Sequence, residues 1–221
     1  MRSTALTATL LSSLAAAAPT ANPLTTRDAP SPPPRIVSVS YSGSGCPSSA
    51  PGVEQTGDIN GIALRMNVFE ARTTTIADSS VNCQAHLSIA GSAAGWQVGV
   101  KDVSVKGHLI LDPGASLDYY VQSFWSEDAD KTLIDMLPQS TIKGTLANDG
   151  ASRLNQDITA HSTIPDGQVV YSPCTGAKGN VGLLNVNFRV ALQAAGTQYG
   201  YFGKDPDTTA SESWTYVWRR C

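Results

Sequence analysis

From Gly182 to Leu192 the chain alternates without a break: Leu184, Val186, Phe188, Val190 and Leu192 fall on one face, Asn185, Asn187, Arg189 and Ala191 on the other. A side-chain period of two belongs to a strand with one buried face and is incompatible with a helix. Such a strand needs partners, and the same period recurs along the chain. It places Val37, Val39 and Tyr41 on one face of Ile36–Tyr41, and Cys83, Ala85, Leu87 and Ile89 inward on a strand whose His86 is solvated. At the C-terminus, Trp214, Tyr216 and Trp218 share one face and Thr215, Val217 and Arg219 the other.

Turn residues set the spacing of these runs. Asn60-Gly61 is a two-residue hairpin signal. Trp96–Leu111 is a long strand region with a bulge expected at Lys101-Asp102, where the inward phase shifts. Asp112-Pro113-Gly114 closes it, and Leu117–Trp125 is expected to return as its hairpin partner. Thr141–Leu146 and Ser152–Thr163 are read the same way around Asn148-Asp149-Gly150, and Thr132–Leu137 as one helical turn after the acidic loop Trp125–Lys131. Short strands, frequent turns and no run of helical period predict an all-β protein: a two-sheet antiparallel β-sandwich of jelly-roll type.

The N-terminal segment does not belong to that sandwich. Met1-Arg2 precedes an apolar run from Ala5 to Ala18 with A-x-A choices at its end, the pattern of a secretory leader over residues 1–18. Residues 19–35, rich in Pro, Thr and Ser, cannot bury a core and read as a linker or propeptide, so the domain is 36–221. No run approaches the roughly 20 apolar residues of a membrane-spanning helix. Behind a leader, the four cysteines Cys46, Cys83, Cys174 and Cys221 are expected to form two disulfides that staple the domain.

Composition and spacing remove several function classes. A net charge of -3 with no basic cluster beyond Arg219-Arg220 does not fit a nucleic-acid partner. The cysteines lack C-x-x-C spacing, the histidines His86, His108 and His161 are scattered, and Asp128-x-Asp130 and Asp205-x-Asp207 are incomplete as calcium loops, so neither metal nor cofactor is expected. Gly43-Ser44-Gly45 lacks the nucleophile-elbow pattern and is better explained by turn geometry, so no catalytic residue is assigned.

The landmarks Ser38–Pro47, Asn82-Cys83-Gln84, Gly95-Trp96, Ser172-Pro173-Cys174 and Trp218-Arg219-Arg220-Cys221 together resemble the secreted family catalogued as domain of unknown function 4360, over roughly Ile36 to Cys221. Its members occur mostly in filamentous fungi and some bacteria. The resemblance implies secretion, a single domain and paired cysteines, and brings no activity with it. Of the three possible connectivities, pairing of sequence neighbours, Cys46 with Cys83 and Cys174 with Cys221, is the expectation.

What remains is aromatic. Tyr199, Tyr201 and Phe202 sit in a glycine-punctuated loop, and Tyr120 and Trp125 lead to the acidic loop. On a sandwich such rings can stack on sugar faces. The chain is therefore expected to be a secreted, non-catalytic protein, extracellular or wall-associated, with an extracellular polysaccharide as partner. The alternatives are a carbohydrate-active hydrolase whose carboxylates meet only in the fold, and a surface or host-interaction protein without a glycan ligand. Sequencing the N-terminus of exported protein should find it starting at or near Pro19; a product that keeps Met1 contradicts the leader reading.

Overall fold

In the computed structural model, the structure describes residues 29–74, 79–126 and 139–221. The leader, the acidic loop from Glu127 onward with its Asp128-x-Asp130 pair, and the Thr132–Leu137 turn lie outside them. The strands are β1 (Arg35–Ser42), β2 (Val53–Asp58), β3 (Gly61–Met66), β4 (Ala71–Arg72), β5 (Ser80–Ala90) and β6 (Trp96–Leu111). They continue with β7 (Ser116–Trp125), β8 (Ser140–Ala147), β9 (Leu154–Thr163), β10 (Asn180–Gln193), β11 (Gly200–Gly203) and β12 (Ser211–Arg220). The first sheet runs β1-β5-β10-β7-β8; the second runs β2-β3-β12-β6-β11-β4, with β9 on the other side of β6. Every pairing is antiparallel.

The two inner faces make the core. β10 stands at the centre of the first sheet, and its alternating Leu184, Val186, Phe188, Val190 and Leu192 are all buried. Phe188 stacks on Phe69 with ring centroids 4.9 Å apart, and Phe202 of the second sheet meets both edge-on at 6.4 and 6.2 Å. Gly107 makes room for this, since a Cβ there would lie 2.5 Å from the Phe202 ring. On β12, Trp214, Tyr216 and Trp218 pair with Val103, Val100 and Val98. The register shift in β6 falls at Lys101-Asp102, opposite Thr215, so the bulge keeps three inward aromatics in phase with inward valines. Val217, on the other face, is buried as well.

Four sequence expectations are corrected. Val37 is 57% exposed and does not share the face of Val39 and Tyr41, because the register against β5 shifts between Ile36 and Ser38. β6 and β7 are not a hairpin, nor are β8 and β9: each turn carries the chain from one sheet to the other. The two crossings lie side by side, with Gly114 N donating to Asn148 O and Asn148 N to Ala115 O. The buried Asn148 amide also donates to Leu111 O and Ser152 O, so a residue read as hairpin chemistry locks two arches together. His86 is not merely solvated: its Nδ1 donates to Asn185 Oδ1 at 2.6 Å and its Nε2 accepts from Ser42 Oγ at 2.8 Å.

The disulfides pair sequence neighbours, Cys46–Cys83 and Cys174–Cys221. The second holds the end of β12 against the extended segment Ser172–Thr175, which is itself bonded to β6 through Ser172 N to Val98 O and Thr175 N to Trp96 O.

Glu212 on β12 is 2% exposed, paired with Leu64 and Val105, and its Oε1 has no hydrogen-bond partner among the described residues. Burial pushes its carboxyl from 4.5 up to about 8. The folded protein therefore keeps a proton that the unfolded chain releases above its ordinary pKa, and this group's effect on stability worsens as pH rises between the two values. Glu212→Gln should gain on the wild type by more than about 1 kcal/mol between about pH 5 and pH 8, at about 1.4 kcal/mol per pKa unit. Urea unfolding at both pH values checks this; a pH-independent difference between the two proteins refutes the buried, protonated carboxyl.

Candidate functional site

The five rings expected to bind do not meet. Phe202, on β11, points inward into the three-ring cluster and is 0% exposed. Trp125, at the end of β7 and paired with Leu184, is 1% exposed. Both belong to the core, because the period of two that turns Tyr201 and Phe124 outward turns their neighbours in. Tyr120 lies on the outer face of the first sheet beneath Lys143, whose Nζ is 5.3 Å from the ring centroid. Of the five, Tyr199 and Tyr201 are brought close enough to interact, half-buried at the start of β11, between β6 and β4.

The second sheet holds these two rings in place. Tyr201 hydroxyl donates to Lys204 O at 2.7 Å and accepts from Lys204 N at 3.1 Å, which folds the ring back over Gly203. A Cβ at Gly203 would stand 2.7 Å from that hydroxyl. Burial first, and then the Glu70 carboxylate, raise the Tyr201 pKa. Tyr199 is anchored by its backbone N–H to Asp112 Oδ2 at 2.7 Å, while Arg153, whose Nε donates to Asp112 Oδ1 at 2.6 Å, sits 5.5 Å from its ring.

The register extends this outer face across the sheet. Asn155, Ile110, Tyr201 and Arg72 form one cross-strand row, and Asp157, His108 and Gly203 the next. Further along β6, Thr56, Ala63, Ser213, Ser104 and His161 line up across β2, β3, β12, β6 and β9. This row, with small side chains at its middle, lines an open groove of about 550 Å³ together with Asp102, Thr163 and Thr215. One end is fixed by Asp102, which accepts from Thr163 Oγ1 at 2.7 Å and Thr215 Oγ1 at 2.9 Å. By contrast Thr56, Ser104, Ser213 and His161 spend no side-chain hydrogen bond on the described protein. From Ser104 to Ile110 is about 20 Å along the strand, so groove and rings lie on one face at polymer scale.

Between them lies a cluster that spacing could not announce. His108 Nδ1 is 2.9 Å from Asp157 Oδ1 and 3.0 Å from Asp205 Oδ2, and its Nε2 donates to Asn155 Oδ1 at 2.8 Å. Burial lowers the His108 pKa, but the bonds to Asp157 and Asn155 and the two carboxylate charges outweigh it and the net shift is upward. Asp157 is held below its ordinary value by the Thr208 hydroxyl first and His108 second. The three residues belong to β6, β9 and the β11–β12 connection, and only the β6–β9 register joins the first two.

A family model, Domain of unknown function (DUF4360), matches residues 32–221. No curated protein matches the chain. Among solved structures it is similar to TmCBM61 in complex with beta-1,4-galactotriose, at 13% identity and a TM-score of 0.25, covering 84% of this chain and 90% of that one. It is also similar to the enzymatically active domain of bacteriophage CBA120 tailspike protein 4, at 7% identity and a TM-score of 0.19. That match covers 83% of this chain and 19% of the tailspike, so the chain spans about a fifth of that protein.

Gly203→Ala should force the Tyr201 ring off the sheet and cost about 1–3 kcal/mol in denaturant unfolding. The same change made on Tyr201→Ala should cost much less, because the clash is gone. Equal costs in both backgrounds would show that the ring does not rest on Gly203.

Proposed function

This chain belongs to the DUF4360 family, and we propose that it is a secreted, non-catalytic β-sandwich that takes an extended extracellular polysaccharide across the outer face of its second sheet. One observation carries the reading: a groove of about 550 Å³ lined by hydroxyls that have no hydrogen-bond partner among the described residues, on the same face as two anchored tyrosines. Hydroxyls and an imidazole match the donors and acceptors of a sugar, and Tyr199 and Tyr201 offer ring faces for stacking. The leader-like N-terminus and the two disulfides support export.

The carboxyl groups support binding over hydrolysis. A glycosidase sets two carboxyls across its cleft and holds one protonated. Asp157 is pushed the other way, and the acid raised to about 8, Glu212, is sealed in the core. Asp102 at the groove has both oxygens committed.

A few stacking and hydroxyl contacts give modest affinity once ordering costs are met, and little dependence on salt. Pull-down on insoluble chitin, glucan and cellulose should retain the wild type on at least one polymer, unchanged from low to high salt. Tyr199→Ala with Tyr201→Ala, and separately Ser104→Arg to fill the groove, should each cut retention about tenfold or more; Tyr120→Ala, on the opposite face, should not. A wild type that ignores all three polymers, or losses that follow Tyr120 instead, would refute this assignment.

A further inference from the structure

We propose that His108, Asp157 and Asp205 form a binding site for one divalent transition-metal ion of the zinc or manganese class. The inference does not depend on the polysaccharide reading. Their donor atoms, one from each residue, all lie within 4.8 Å of one another. Each is aimed by a bond made through the other end of its own group. Asp205 Oδ1 accepts from Asp207 N at 2.9 Å and Thr208 N at 2.5 Å, leaving Oδ2 for His108. Asp157 Oδ2 accepts from the Thr208 hydroxyl, leaving Oδ1. His108 Nε2–H goes to Asn155 Oδ1, which leaves Nδ1 as the atom facing both carboxylates.

That last bond is what makes the cluster more than a group of acids. With Nε2 carrying its proton, Nδ1 of a neutral ring presents a lone pair to two carboxylate oxygens at 2.9 and 3.0 Å, which repels unless a positive centre stands between them. A proton on Nδ1 or a metal ion can supply it, and the metal answers all three donors at once. With bonds of about 2.0–2.2 Å to imidazole nitrogen and carboxylate oxygen, donors around zinc stand roughly 3.3–3.5 Å apart, within a few tenths of an ångström of the His108 distances. The Nε2–H to carbonyl bond is the usual outer support of a metal-bound histidine. Calcium fits poorly, since it asks for six to eight oxygens and one of the three donors is nitrogen. Asp157, 45% exposed, leaves the remaining positions open to water. When the ion displaces a proton from Nδ1, that proton goes to solvent, so charge and atoms balance.

Full-length protein stripped with a chelator should bind Zn2+ or Mn2+ at one ion per chain in calorimetry, with a matching rise in thermal midpoint, and should not respond to Ca2+. His108→Gln and Asp205→Asn should each abolish that binding, Asn155→Ala should weaken it about 10- to 100-fold, and His161→Gln should leave it intact. The wild-type titration needs no variant to fold, and circular dichroism verifies that each variant does. If the wild type takes up neither ion, or His108→Gln binds as tightly as wild type, the site is an ion pair only and the proposal is overturned.

Discussion

The fold depends on the contact between two sheets that the chain crosses repeatedly, and the Phe69–Phe188–Phe202 cluster joins them through their rings. Phe188 comes from the central strand of one sheet, Phe202 from a four-residue strand of the other, and Phe69 from the connection leading into β4. Burying one such ring contributes about 1.5–3 kcal/mol, with a further gain from ring–ring geometry. A strand as short as β11 has few ladder bonds of its own, so Phe202 in the core, with Gly107 beneath it, is what seats it beside β6. Seating β11 fixes Tyr201, because adjacent residues on a strand must face opposite ways.

This explains how the aromatic loop divided. In sequence, Tyr199, Tyr201, Phe202, Tyr120 and Trp125 look equivalent, since composition assigns a ring to a loop but not to a face. The period of two already separates Tyr120 from Trp125 on the ten-residue β7, whereas β11 is only four residues long and bounded by glycines, too short to display a period that would separate Tyr201 from Phe202. Where strands are long the sequence was legible. β10, β5 and β12 show their inward faces directly, and even the bulge in β6 is marked by a Lys-Asp pair that breaks an apolar phase.

Topology was less legible than strand identity. Asp112-Pro113-Gly114 and Asn148-Asp149-Gly150 carry the chemistry of tight turns, and turn chemistry says that the chain reverses, not which sheet it reverses into. In both places it crosses the core, and the two arches complete each other's backbone bonds through Asn148. The His108 cluster has the same origin: its members are neighbours because β9, having crossed over, lies beside β6 rather than β8.

The two outer faces then differ in how they use their polar atoms. On the first sheet Ser42, His86, Asn185 and Ser126 bond in sequence across β1, β5, β10 and the end of β7, while Gln84 joins at Asn185 and Asn82 donates to Asn187. A face whose amides satisfy one another gains little from a partner, which would have to match bonds already made. On the second sheet the side chains of the groove row, Thr56, Ser104, Ser213 and His161, make no such bonds among the described residues. A ligand there has no internal side-chain bonds to displace before it makes its own. The asymmetry favours the second sheet as the working face on energetic grounds independent of its rings, and it makes the polar network of the first a structural element that keeps β1 registered on β5.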